Sequence, residues 1–208
     1  MSEEPLRAFL NTGFQHPAWD VVMAGLSSWA VWWPFAVAGA LGLLLAGGAK
    51  GRLALVAALL AIGVSDGLVC RTLKEVVQRP RPHEMQAGVR VVDLKKATPR
   101  LLALAKPVNA RISGPPGRIR GGRSFPSSHA ANCFALATVL ALSCRRGWLA
   151  LPVALAVAVS RIYTGSHWPS DVLAGGLIGI LCGWGAVWVT GAAARRWFPG
   201  LFDQPKSA

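Results

Sequence analysis

The chain has 208 residues, of which 53% are hydrophobic and 15% charged, with a formal net charge of +13. A mean hydropathy of +0.43 is too apolar for an ordinary soluble domain, and the apolar residues come in runs of membrane-spanning length. The Lys and Arg residues sit between those runs, without base-stacking aromatics among them. Anionic lipid headgroups and phosphates are therefore the expected partners, and nucleic acid is not.

Residues 1–17 read as short and polar. Opening on Glu3 and Glu4 rather than a basic segment, they show no cleavable secretory signal, so the first span is expected to direct insertion. Phe14 to Ser28, interrupted by His16, Pro17 and Asp20, fits an interfacial approach helix at least as well as a full span. The first strong span covers about Trp29 to Gly48, with Trp29, Trp32 and Trp33 at its start as interfacial tryptophans. A basic turn follows. The second span runs from about Leu53 to Leu73, continues as helix to Lys74 and is stopped by Pro80 and Pro82. Asp66 inside it is read mainly as a hydrogen-bonded helix contact, although an intramembrane carboxylate is also a functional candidate.

Residues 83–125 form a long basic connection with a leucine-rich piece, Pro99 to Lys106. It reads as a lid or entrance, or as a solvated face. The third span is about Ser128 to Cys144 and the fourth about Trp148 to Tyr163. A tight loop, 164–170, leads to a glycine-rich fifth span, about Asp171 to Ala193. The four cysteines lie in or at the ends of apolar runs and read as packing thiols. The expected fold is all-α: a polytopic membrane bundle of five to six transmembrane helices, one domain over 1–208, with an interfacial loop or short helices between spans two and three.

Span counting brings the ends of spans two and four to the same membrane face as the starts of spans three and five. The short loops opposite carry Lys50, Arg52, Arg145, Arg146, Arg195, Arg196 and Lys206. By the positive-inside rule that side is cytoplasmic, although the long loop on the other face is also basic.

Three polar groups stand at the converging ends. Lys74, Arg81 and Arg161 are cations that call for an anion, and phosphate matches them because Arg binds two of its oxygens at once. Pro126-Ser127-Ser128-His129 opens the third span. Its serines are ordinary caps, yet a helix start also offers free amides, and Ser127 and Ser128 add hydroxyl donors for a phosphate oxygen. His167 and Asp171 are four residues apart, on one helix face; a carboxylate bonded to one imidazole nitrogen frees the other as nucleophile or base. The chemistry that follows has His167 attacking phosphorus, Asp171 supporting it, and His129 protonating the leaving oxygen and then activating water. Lys74, Arg81, Arg161, Ser127 and Ser128 would bind the phosphoryl group. No metal or other cofactor is expected, because the cations already neutralise the phosphate and the acidic cluster of a two-metal phosphatase is missing.

The spacing Lys74-x6-Arg81-Pro82, then Pro126-Ser127-Ser128-His129, then Ser160-Arg161-x5-His167-x3-Asp171 resembles the triple signature of the type 2 phosphatidic acid phosphatase family, the integral-membrane lipid phosphatases. The resemblance covers roughly residues 53–190. Ser128 stands where the familiar pattern has Gly. The resemblance implies phosphate binding by the first motif, acid catalysis by His129 and nucleophilic attack by His167. It also implies a lipid phosphate substrate in a bacterial inner membrane, and the positive-inside reading puts the site on the periplasmic or exterior face. Undecaprenyl diphosphate leads among the substrates; phosphatidylglycerophosphate, phosphatidate and a lipid A phosphate are the alternatives. Two readings of other classes compete: vanadate-dependent halide oxidation, and non-catalytic binding of anionic lipid through the basic loop.

Overall fold

The computed structural model describes residues 3–98, 100–117 and 121–199. Lys206 and residues 99 and 118–120 of the long connection, which the sequence reading included, lie outside them.

The first element is a helix the composition of residues 1–17 does not announce. α1 (Glu4–Thr12) turns Arg7 and Asn11 inward and leaves Leu6 and Phe9 exposed. α2 (Pro17–Leu26) and α3 (Trp29–Leu45) form a pair bent by 52°. α3 has no buried residue, so much of its apolar surface is available to lipid. α4 (Gly48–Ile62) runs through a π-helical stretch, Gly63–Cys70, into α5 (Arg71–Val77). Gln78, in the left-handed conformation, ends α5 ahead of Pro80 and Pro82, and the short α6 (Pro82–Met85) follows. α7 (Ser128–Ser143), α8 (Ala150–Tyr163) and α9 (Pro169–Trp197) complete the bundle.

Small residues make the core of this bundle. Ala57, Ala58 and Ala61 of α4 meet Ala135 and Val139 of α7 and Ala186 of α9. The large apolar side chains point the other way: Leu59, Leu68, Leu173, Leu177, Leu181, Trp184 and Trp188 are all exposed. Small inside and large outside suits a lipid solvent, where packing rather than water exclusion drives helices together. The chain is thus a helical membrane bundle. Gly48–Met85 and Pro169–Trp197 are long and apolar enough to cross a bilayer, and the bent α2–α3 pair passes if it counts as one span. α7, at 16 residues, reaches only about 24 Å, and α8 is likewise short.

Close packing of α7 on α9 decides where the site forms. A Cβ on Gly179 would run into the carbonyl oxygen of Ala131, and one on Gly183 would stand 2.7 Å from that of Ala135. Without side chains there, the backbones touch, and the first turns of both helices lie side by side. Lys50, Arg52, Arg145, Arg146, Arg195 and Arg196 fall at the opposite helix ends.

The long connection is folded. β1 (Arg90–Asp93) pairs antiparallel with β2 (Asn109–Ile112), Arg90 opposite Ile112, with a 3-10 turn, Arg100–Ala105, between them. The short helices expected in this connection are present as α6 and the 3-10 turn, and the hairpin is an addition to them. Arg90 holds Asp20 of α2 through both terminal guanidinium nitrogens, at 2.6 Å for Nη1. Tyr163 Oη donates to the same carboxylate at 2.6 Å. Asn11 Nδ2 donates to the carbonyls of Arg90 and Tyr163, each at 2.7 Å, and its Oδ1 accepts from the Arg90 amide. These buried bonds fasten the hairpin to α1, α2 and the end of α8.

Candidate active site

Four chain segments converge at one end of the bundle. The segment before α7 runs beside the residues after α5: Gly122 N donates to Gln78 O and Ser124 N to Arg79 O, both at 2.9 Å. Gly122 permits this approach, since a Cβ there would collide with Arg79 and Pro80. Lys74 Nζ donates to Ser128 Oγ at 2.5 Å, tying α5 to the first turn of α7. Ser127 N donates to Asp171 O at 3.0 Å, tying α7 to α9. The loop between α8 and α9 folds back on its own helix end, with the amides of Ser166 and His167 both donating to Arg161 O. Gly165 makes that turn at φ 68°, and a Cβ on it would stand 2.5 Å from Arg90 O.

His167 is buried, and its Nδ1 lies 2.8 Å from the carbonyl oxygen of Ser124. A carbonyl only accepts, so Nδ1 carries the proton and Nε2 keeps its lone pair. Asp171 approaches the same Nδ1 at 3.7 Å, beyond hydrogen-bond range. Direct bonding of this imidazole to the carboxylate, the arrangement drawn from the four-residue spacing, is replaced by the Ser124 carbonyl. Asp171 is fully engaged elsewhere: Oδ1 accepts from Arg79 Nη1 at 2.7 Å, and Oδ2 from Ser124 Oγ at 2.5 Å and Trp168 N at 2.9 Å. Its charge still lies close enough to favour a positive imidazole. Burial, aided by Arg161, nevertheless outweighs Asp171 and pushes the His167 pKa down to about 4.

The sign of that shift makes a pH prediction. Above about pH 4 the imidazole is neutral and able to attack; below it, Nε2 is protonated. The acid limb of kcat/KM, with the substrate's own titration subtracted, should fall near pH 4 rather than 6.5. A limb at 6 or above, following His167, would remove burial as the controlling factor.

His129 lies in the first turn of α7, within charge range of Arg161, His167 and Lys74. Ser127 is buried as the α7 cap, its Oγ accepting from Ala130 N at a long 3.5 Å. Arg161 Nη1 donates to the carbonyl of Ser27 at 3.0 Å and also to its hydroxyl, whereas its buried Nε has no partner among the described residues. Lys74 and Arg81 line a cavity of about 430 Å³ together with Asp66, Arg71 and Arg123. Asp66 accepts from Asn132 Nδ2 at 3.2 Å, the helix contact expected of it, and also faces this cavity. The four cysteines are free thiols. Among the described residues no group of three or more His, Cys, Asp or Glu has the closeness to hold a metal ion.

The eight residues singled out from sequence are thus gathered around one helix-end junction. Four others join them that the sequence reading missed: Ser124, Arg79, Ser27 and Glu3. Arg79 had a signal, since it belongs to the same Arg-Pro-Arg-Pro run as Arg81. Ser124 precedes the second motif by two residues. Ser27 and Glu3 had none, as each acts across more than 75 residues of chain.

A family model described as the PAP2 superfamily matches residues 53–195. The chain is 31% identical over 185 residues to the lipid A 4'-phosphatase of Bacteroides thetaiotaomicron, covering 86% of this chain and 72% of that protein. A stretch of 59 residues is 46% identical to the bacitracin transport permease protein BcrC of Bacillus licheniformis, covering 28% of this chain and 29% of that protein. In structure, the chain is similar to the crystal structure of Aquifex aeolicus LpxE, with a TM-score of 0.62 and 26% identity, covering 89% of this chain and 94% of that one.

Proposed function

The chain belongs to the PAP2 superfamily and is a lipid phosphatase of that type, and from this premise we propose that it transfers a lipid-borne phosphoryl group to His167 and then to water. The observation that carries the mechanism is the Ser124 carbonyl on His167 Nδ1, which leaves Nε2 as the nucleophilic lone pair. Nε2 forms a bond to phosphorus as the bond to the lipid oxygen breaks, and His129 gives that oxygen its proton. Water then attacks the phosphohistidine, His129 takes the water proton, the P–N bond breaks, and inorganic phosphate leaves. Lys74, Arg81 and Arg161 hold the phosphoryl oxygens, and Ser128 and the free amides of α7 complete the cradle. Asp171 steadies the charge on His167 while the intermediate exists.

For the substrate, the similarity to a lipid A 4'-phosphatase along most of both chains favours the phosphate of a lipid A-type glycolipid. A cavity of about 410 Å³ between α6 and the hairpin, lined by His83, Glu84, Arg111 and Ser113, supports this reading. His83 Nδ1 contacts Gly165 O at 3.0 Å, so this polar cavity borders the His167 loop and suits a sugar headgroup. Undecaprenyl diphosphate is the second reading. Arg71 and Arg123 add to Lys74 and Arg81 more positive charge than one phosphate monoester requires. The site would face the periplasm or exterior, as the basic residues at the opposite helix ends would face the cytoplasm.

The test is inorganic phosphate release by detergent-purified protein, with EDTA present, across lipid A phosphates, undecaprenyl diphosphate, phosphatidylglycerophosphate and phosphatidate. Turnover of lipid A phosphates above the rest is the expected result. A preference for undecaprenyl diphosphate would transfer the assignment to the second reading, and silence from folded protein across the whole panel would overturn both.

A further inference from the structure

Outside the three motifs, one carboxylate reaches the site. Glu3, just ahead of α1, accepts from Arg79 Nη2 through Oε1 and from the amide of Ser170 through Oε2, the latter at 2.8 Å. The same Arg79 uses Nη1 to hold Ser170 Oγ at 2.6 Å and Asp171 Oδ1 at 2.7 Å. Its guanidinium lies 5.2 Å from the ring centre of Trp168, the residue between His167 and the start of α9. Arg7, one helical turn along α1 from Glu3, approaches the same ring at 6.0 Å.

Building on the phosphatase reading above, we propose that Glu3 is a positioning residue for the reaction, acting through Arg79 to fix Asp171 and the His167 loop. Two physical arguments carry this. First, Arg79 has an acid on each side, so Glu3 decides where the guanidinium sits and, through it, where Asp171 Oδ1 points. Planar geometry makes this effective: one Nη meets Glu3 and the other meets Ser170 and Asp171, so the fork cannot rotate without breaking one set. Second, Glu3 supplies a carboxylate to an unsatisfied amide in the first turn of α9, where negative charge is favoured. Burial opposes ionisation of Glu3, yet the Ser170 hydrogen bonds and Arg79 hold its pKa below the usual carboxylate value. It therefore acts as an anion at neutral pH. Arg79 is itself a cation close to the phosphate cradle, and Glu3 with Asp171 balances it. That leaves Lys74, Arg81 and Arg161 to answer the substrate's charge.

The experiment is a double-substitution cycle on the full chain, with Glu3→Gln, Glu3→Asp, Arg79→Gln and the pair Glu3→Gln/Arg79→Gln. Two quantities are read: kcat and KM on the panel substrate with the highest turnover, and affinity for inorganic orthovanadate, which takes up the five-coordinate geometry at a nitrogen nucleophile. Glu3→Gln is expected to lower kcat by about ten- to a hundredfold, the scale of one charge-assisted hydrogen bond, with KM little changed. Orthovanadate affinity falls by a similar factor. Glu3→Asp recovers part of the loss, and Glu3→Gln has no further effect once Arg79 is Gln, because the pathway runs through that guanidinium. A silent Glu3→Gln, or effects of Glu3 and Arg79 that simply multiply, would overturn the relay. So would a rise in KM at unchanged kcat. If wild-type protein neither releases phosphate nor binds orthovanadate, the phosphatase reading itself falls, and the relay with it; wild-type activity with a silent Glu3→Gln sinks the relay alone.

Discussion

Replacing His167 by Ala should abolish phosphate release, by about 10⁴-fold or more, while the protein remains folded. The side chain is buried, and its Nδ1 hydrogen bond to Ser124 is one contact among several that hold the loop. The amides of Ser166 and His167 stay bonded to Arg161 O, and Trp168 Nε1 stays bonded to Pro80 O. The loop should thus survive the loss of the ring. Acid-labile phosphate trapped on wild-type protein during turnover, and absent from His167→Ala, would identify the intermediate. Folded His167→Ala protein that still released phosphate at a tenth of the wild-type rate would remove His167 as nucleophile.

Arg161→Lys is the second substitution with a large expected effect, a loss of about 10²- to 10³-fold in kcat/KM. The guanidinium is anchored at one end by Nη1 on Ser27, with Nε buried and unpaired among the described residues. A planar fork held this way offers a phosphate oxygen a donor that is already oriented. Lysine carries all its donors on one nitrogen, so it cannot keep the Ser27 contacts and hold a second donor atom in a fixed plane toward the phosphate. If the protein only attracted anionic lipid by charge, the substitution would be harmless. Binding to anionic vesicles, measured beside turnover, separates the two: vesicle binding should survive and turnover should not.

The motif residues were legible because their setting is one-dimensional. Apolar runs of bilayer length, with polar residues only at the ends, place Lys74, His129, Arg161 and His167 on one face once the spans are counted. What completes the site was not legible. Ser124 reaches Asp171 across 47 residues, Arg79 reaches it across 92, and Glu3 reaches Ser170 across 167. No local period reports such contacts. α1 was hidden for a related reason. Its polar Arg7 and Asn11 face inward, toward the His167 loop and the hairpin, whereas its apolar Leu6 and Phe9 face out, the reverse of a soluble helix. The hairpin was hidden too, since four-residue strands held by Asp20, Asn11 and Tyr163 owe little to their own propensity.

From its sequence alone, then, this protein reads as a membrane helical bundle with cations and histidines gathered at one end, because hydrophobic length and the order of charged residues are local properties. Tertiary structure decided how His167 is set. The tautomer of His167 depends on a backbone carbonyl, and Asp171 is held by an arginine that Glu3, ahead of α1, also contacts. Hydrogen bonds of that kind are directional and join distant segments, so they exist only once the helices have packed.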